Sequence, residues 1–229
     1  MSLYLPDAKA LFLHIPRTGG TWFESAMPKI GIETKYWRSW LSTSRHNHQL
    51  AANHCLLSHY HPTELLNVER VFCFVRHPQA YYESVWKWLG VGRLRSWWRW
   101  HPFAAAKQLY TPDFNEWVLL MIEQQPAWYT RLLLSYIGPN GGEHCFFVGR
   151  QERLVNDTAS VLKKLGYKLT RRQRKTLRQI GLVNNITRRV NWQPRVLRRM
   201  LATERLVEER FYGGQFRRVF YAPFNKWAR

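Results

Sequence analysis

The chain has 229 residues and a mass of 27.5 kDa, which suits one large α/β domain better than two. Hydrophobic residues make up 45% of it, enough to bury a core, which argues against wholesale disorder. The formal net charge of +20 favours polyanionic partners: nucleic acid, acidic polysaccharide, an anionic membrane face or a phosphorylated small molecule.

Residues 10–15 read as a short buried strand. The segment 20–30 reads as a helix with Trp22, Phe23, Ala26 and Met27 available for one face. Residues 33–54 are polar and read as a loop. Residues 55–59 form a second expected strand, with Pro62 as a helix opener after it. "VFCFV" at 71–75 is the clearest strand, apolar throughout as a strand covered on both faces should be. Pro78 opens a helix to about Leu89. A run dense in Trp and Arg comes next, "WKWLGVGRLRSWWRWHPF".

Residues 112–136 read as one or two helices broken at Pro126, and "PNGG" at 139–142 as a turn. Residues 145–148 read as a further strand. An amphipathic helix over 151–165 closes at Gly166. The chain becomes strongly basic from Lys168, with one long helix expected over 194–212 and an aromatic, basic tail. No repeat or linker divides it. Strands alternating with helices predict a central parallel sheet flanked by helices on both faces.

Cys55, Cys73 and Cys145 show no Cys-x-x-Cys pair and read as buried thiols in a reducing compartment. The nine histidines show no Cys/His ligand spacing, so no metal is expected. "MSLYLPDAKA" lacks a basic segment followed by an apolar run, and no window approaches the length of a membrane span. The expectation is a cytoplasmic enzyme, or a chain cut free of an anchor.

In parallel sheets ligands bind beyond the carboxyl ends of the strands. The chemically loaded residues cluster there: Arg17-Thr18-Gly19-Gly20-Thr21, then Ser58-His59-Tyr60-His61, then Arg76-His77-Pro78. Gly19 and Gly20 let backbone N–H groups approach an oxyanion, and the next helix adds its N-terminal donors. Thr18 and Thr21 add hydroxyls, and Arg17 adds a forked permanent cation. A nucleotide-hydrolase loop would need Gly-x-x-x-x-Gly-Lys-Ser/Thr, which is missing. At the third joint, Arg76 and Ser84 could close on a second phosphate, with Ser84 on the helix face shared with Tyr81 and Trp88. The plainer alternatives are a ligand-free glycine turn, an Arg76 paired with a carboxylate, and a Ser84 that fills a packing gap.

"FLHIPRTGGTWFESA" resembles the 5′-phosphosulfate loop of sulfotransferases that use 3′-phosphoadenosine 5′-phosphosulfate (PAPS). "RVFCFVRHPQAYYESVWKW" is similar to their 3′-phosphate motif, with Ser84 following Arg76 by eight residues. The nearest pattern is that of carbohydrate sulfotransferases whose loop reads His-x-Pro-Lys-Thr-Gly-Gly-Thr. "CFFVGRQERLVNDTASVLKKLGY" and "GLVNNITRRVNW" more weakly resemble a later strand–helix unit and a loop closing over the cofactor. The resemblance implies a single P-loop-like three-layer α/β sandwich that moves a sulfuryl group from PAPS to an acceptor hydroxyl without a metal.

By that resemblance Arg17, Thr18, Gly19, Gly20, Thr21, Trp22, Arg76, Ser84 and Asn185 bind the cofactor. Arg17 also steadies the reacting group, in place of the family's usual lysine. His59 is the expected general base, with His61 second and Glu24 an outside candidate. The expected acceptor is a saccharide, glycan or glycolipid, anionic in some versions; a small alcohol or a tyrosine would use the same cofactor motifs. The Trp/Arg run fits an acceptor cleft, a membrane interface or ordinary packing. Two other classes compete. A nucleic-acid-binding protein explains the charge but not the phosphate joints. A nucleoside kinase lacks its lysine.

Overall fold

The computed structural model describes residues 2–37, 67–91, 103–143, 145–181 and 190–213. Among them are a five-stranded sheet and nine α-helices. The expected strand at 55–59, His59, His61, Asn185, Trp97, Trp98, Trp100 and the aromatic tail lie outside the described residues.

The chain opens with β1 (Leu3–Leu5), a strand its sequence does not announce. A single 3-10 turn comes next, and Lys9 adopts φ 46° with its N–H donating to the Pro6 carbonyl (3.1 Å). That reversal lays β2 (Ala10–Leu13) antiparallel to β1, Leu5 opposite Ala10. After α1 (Gly20–Lys29), β3 (Lys35–Tyr36) adds to the other edge of β1, again antiparallel. β4 (Arg70–Val75) lies parallel to β2, and β5 (Phe147–Arg150) parallel to β4. The order is β3-β1-β2-β4-β5, so the sheet is mixed and the expectation of an all-parallel sheet is corrected. Strands of three and two residues are too short to show an alternation, which is why no pattern marks them.

α2 (Pro78–Gly90) follows β4 directly, with Pro78 in its first turn as expected. Next come α3 (Ala104–Gln108), α4 (Phe114–Gln124) and α5 (Trp128–Ile137), the last two separated at Pro126. α6 (Leu154–Lys164) leads into Gly166 at φ 98°, and α7 (Arg171–Gln179) opens with a capping box between Thr170 and Gln173. The single helix expected over 194–212 is two, α8 (Pro194–Thr203) and α9 (Arg205–Tyr212), broken at Glu204. The strand expected at 145–148 begins two residues later, at Phe147.

Strand alternation divides the core. Ala10, Phe12, Phe72 and Phe74 join one buried cluster with Phe23, Met27, Leu162 and Leu177. Leu11, Leu13, Cys73 and Val75 join another with Tyr81, Trp117, Tyr129 and Met200. α1, α6 and α7 therefore contribute to the first cluster, and α2, α4, α5 and α8 to the second. Each fully buried large side chain contributes about 1.5–3 kcal/mol of transfer free energy. Of the Trp/Arg run, two described tryptophans pack in this core. Trp86 is buried with its indole N–H on the Thr111 carbonyl (3.0 Å), and Trp88 packs edge-on against Phe103.

Candidate functional site: the carboxyl edge of β2, β4 and β5

β2 ends at Leu13, and the chain reaches α1 through a tight loop. Arg17 has φ 66° and Gly19 has φ 105°. Left-handed residues in a tight loop are the kind of backbone from which anion-binding nests are built. Thr18 is fully buried and its hydroxyl donates to the Ile15 carbonyl (2.9 Å), so its side chain braces the loop from inside. The first helical bond of α1 runs from Phe23 N–H to the Gly19 carbonyl (3.1 Å). The amides of Gly20, Thr21 and Trp22 precede it and are the helix's orphan donors.

Both glycines are fixed by their surroundings as well as by any ligand. A Cβ on Gly19 would lie 2.8 Å from Leu154 Cδ2, and one on Gly20 would lie 2.1 Å from the His14 ring. His14, the last residue before Ile15 and Pro16, thus packs beneath the start of α1. Thr21 is exposed on the first turn. The Trp22 side chain points the other way: its indole N–H donates to the Ile180 carbonyl (3.1 Å) beyond α7, and only 2% of the residue is exposed. What Trp22 can offer a ligand is its backbone amide.

The loop meets the end of β4. Arg17 Nε donates to Ser84 Oγ (2.9 Å), and Arg76 Nη1 donates to the Arg17 carbonyl (3.2 Å). Two guanidinium groups and a serine hydroxyl, drawn from segments 59 and 67 residues apart in sequence, therefore form one continuous cluster. The sequence suggests two separated cradles; in the fold the first is in direct contact with the second.

The Arg76 backbone is bonded on both sides by one tyrosine. The Tyr129 hydroxyl accepts from the Arg76 N–H (3.0 Å) and donates to the Arg76 carbonyl (2.8 Å). Tyr81 stacks on the Tyr129 ring at 3.7 Å. Burial pushes the Tyr129 hydroxyl far above its usual pKa, so it stays a hydrogen-bonded phenol. Arg76 Nε is buried and has no hydrogen-bond partner, and Arg76 forms no ion pair with a carboxylate among the described residues. Burial lowers its pKa, with Glu152 and Tyr129 acting the other way. Arg76 is partly exposed, but a buried donor atom left unpaired is costly unless an acceptor reaches it.

Next along the edge, Glu152 accepts from the His77 N–H (2.8 Å) and from the Tyr212 hydroxyl (2.8 Å). Arg150, the last residue of β5 and the register partner of Val75, lies over the Tyr212 ring at 5.5 Å. Burial holds the His77 imidazole neutral, with a pKa of about 3. Tyr129, Glu152 and Tyr212 were not foreseen, because each comes from a helix or turn far along the chain and carries no motif. Glu24 accepts from the Tyr36 hydroxyl (2.5 Å) across to β3. The expected base, His59, and the expected lid residue, Asn185, fall outside the described residues.

Comparison with family models, curated proteins and solved structures finds no match to this chain.

Proposed function

We propose that the chain is a PAPS-dependent sulfotransferase acting on a hydroxyl of a saccharide acceptor, built as a P-loop-like three-layer sandwich. The observation that carries this reading is the contact of the two phosphate joints. Arg17, Ser84 and Arg76 meet at one edge, and the orphan Nε of Arg76 leaves a buried donor that an anion would satisfy.

The residues fit a bis-phosphorylated nucleotide. The loop amides from Thr18 to Trp22 would hold the 5′-phosphate end, and Arg76 with Ser84 the 3′-phosphate. PAPS, when bound, supplies an activated sulfuryl group. Arg17 donates from Nε to Ser84, and a guanidinium is a planar fork of three nitrogens where lysine has a single one. It would steady the charge that grows on the leaving phosphate, which needs no proton. The Ser84 hydroxyl accepts from Arg17 Nε and keeps its own hydrogen to donate to a phosphate oxygen. Removing the proton from the acceptor hydroxyl falls to His59 in this reading. The work is positioning and electrostatics.

Arg76→Met keeps the apolar stem and removes the charge. It should weaken binding of the desulfated product, 3′-phosphoadenosine 5′-phosphate (PAP), by about tenfold to a hundredfold, the worth of about 1.5–3 kcal/mol for a charged hydrogen bond. Calorimetry on the folded variant checks this. An unchanged affinity would remove Arg76 from the site.

A further inference from the structure

We propose that Cys73 and Cys145 are a redox modification site: a dithiol that closes to a disulfide in the presence of a hydroperoxide. It is independent of the sulfotransferase reading.

The two Sγ atoms lie 3.9 Å apart and both thiols are free. A disulfide spans about 2.05 Å, so closure needs about 2 Å of approach. The partners differ in freedom. Cys73 is fully buried in the middle of β4, where it pairs with Leu13 on one side and Val148 on the other. Cys145 is partly exposed, two residues before β5, and follows a turn in which Gly138, Gly141 and Gly142 all have positive φ. Its N–H donates to the Gly142 carbonyl (2.9 Å), which ties it to that turn, while the Phe146 N–H donates to the Val71 carbonyl (2.7 Å) and keeps the segment beside β4. Glycines without a Cβ let such a turn shift at low cost. No set of three or more His, Cys, Asp or Glu residues is grouped for a metal among the described residues.

The chemistry assigns the roles. The neighbouring Cys145 sulfur and burial hold the Cys73 thiol protonated well above the usual range. Cys145, the more exposed residue of the two, is therefore the first to react. Its thiolate attacks one peroxide oxygen and the O–O bond breaks. Cys145 becomes a sulfenic acid, and the departing hydroxide takes a proton to become water. The Cys73 sulfur then attacks the Cys145 sulfur, and its proton leaves with the displaced hydroxide as a second water. Two thiols and one hydrogen peroxide give one disulfide and two waters.

The test uses the whole chain, treated with hydrogen peroxide and then denatured in N-ethylmaleimide. Intact mass should fall by about 2 Da before labelling. One of the three cysteines should then take label, and a non-reducing peptide map should join the Cys73 and Cys145 peptides. Dithiothreitol should restore labelling of both. Cys55→Ser should keep the cross-link, and Cys145→Ser should leave Cys73 labelled after peroxide. A bridge to Cys55, a cross-linked dimer, or full labelling of Cys73 in the oxidised wild-type protein would overturn the proposal, and these wild-type readouts stand even if a variant fails to fold.

Discussion

His77 stands at the N-terminus of α2 and does two jobs. Its Nδ1 accepts from the Gln79 N–H (3.2 Å), capping the helix, and its ring meets Tyr212 edge-on at 5.0 Å. Its pKa is about 3 in the fold against 6.5 for the free side chain. Between those values the unfolded chain binds a proton that the folded chain refuses. The stability His77 contributes is complete above pH 6.5 and is lost as the pH falls toward 3, at about 1.4 kcal/mol per pH unit. His77→Asn keeps a capping acceptor and cannot titrate. From pH 6.5 to pH 5 the wild-type protein should lose about 2 kcal/mol more than this variant in urea unfolding. Parallel pH profiles would show that the imidazole is not held neutral.

Glu204 explains why one expected helix became two. It is fully buried between α8 and α9, and its carboxylate accepts from the Tyr82 hydroxyl (2.8 Å), the Tyr129 N–H (3.1 Å), the Thr130 N–H (2.8 Å) and the Thr130 hydroxyl (2.6 Å). A negative charge at the N-terminus of α5 satisfies orphan amides and faces the helix dipole favourably. It also fixes Tyr129, and through Tyr129 the backbone of Arg76. Glu204→Ala strands several buried donors at about 1–3 kcal/mol each, so a loss of about 3 kcal/mol or more is expected in urea unfolding. Glu204→Gln should lose less. A loss under about 0.5 kcal/mol for the alanine variant would mean the network carries little.

The same elements show what sequence could reveal. Helices with proline starts and glycine ends were legible because those signals are local: Pro78, the break at Pro126 and Gly166 all fall where expected. So was the core strand over 71–75, whose apolar run matches burial on both faces. The break at Glu204 was not legible, since it depends on a partner 75 residues away. In the sequence Gly20 reads as backbone freedom for an oxyanion, while in the fold the ring of His14 also demands it. Arg17, Ser84 and Arg76 were each visible as strand-end chemistry. Their direct contact follows from the parallel pairing of β2 and β4, which no local pattern encodes.

At the scale of the molecule, part of the basic surplus lies on one helix. Arg171, Arg172, Arg174, Lys175 and Arg178 lie on α7 while Leu177 is buried beneath them, a solvated face with a strong field. No described helix is long and apolar enough to cross a membrane. A field of that kind binds any polyanion loosely and loses it in salt. On the proposed function, the cluster at the carboxyl edge instead prefers one ligand shape, with two phosphates on one adenosine. Calorimetry on the wild-type protein separates the two, with PAP, ATP and duplex DNA titrated across a salt series. The proposed function predicts PAP binding at least about tenfold tighter than ATP, with a shallow salt slope. Indifference between PAP and ATP, with steeply salt-dependent DNA binding as the only strong signal, would contradict it.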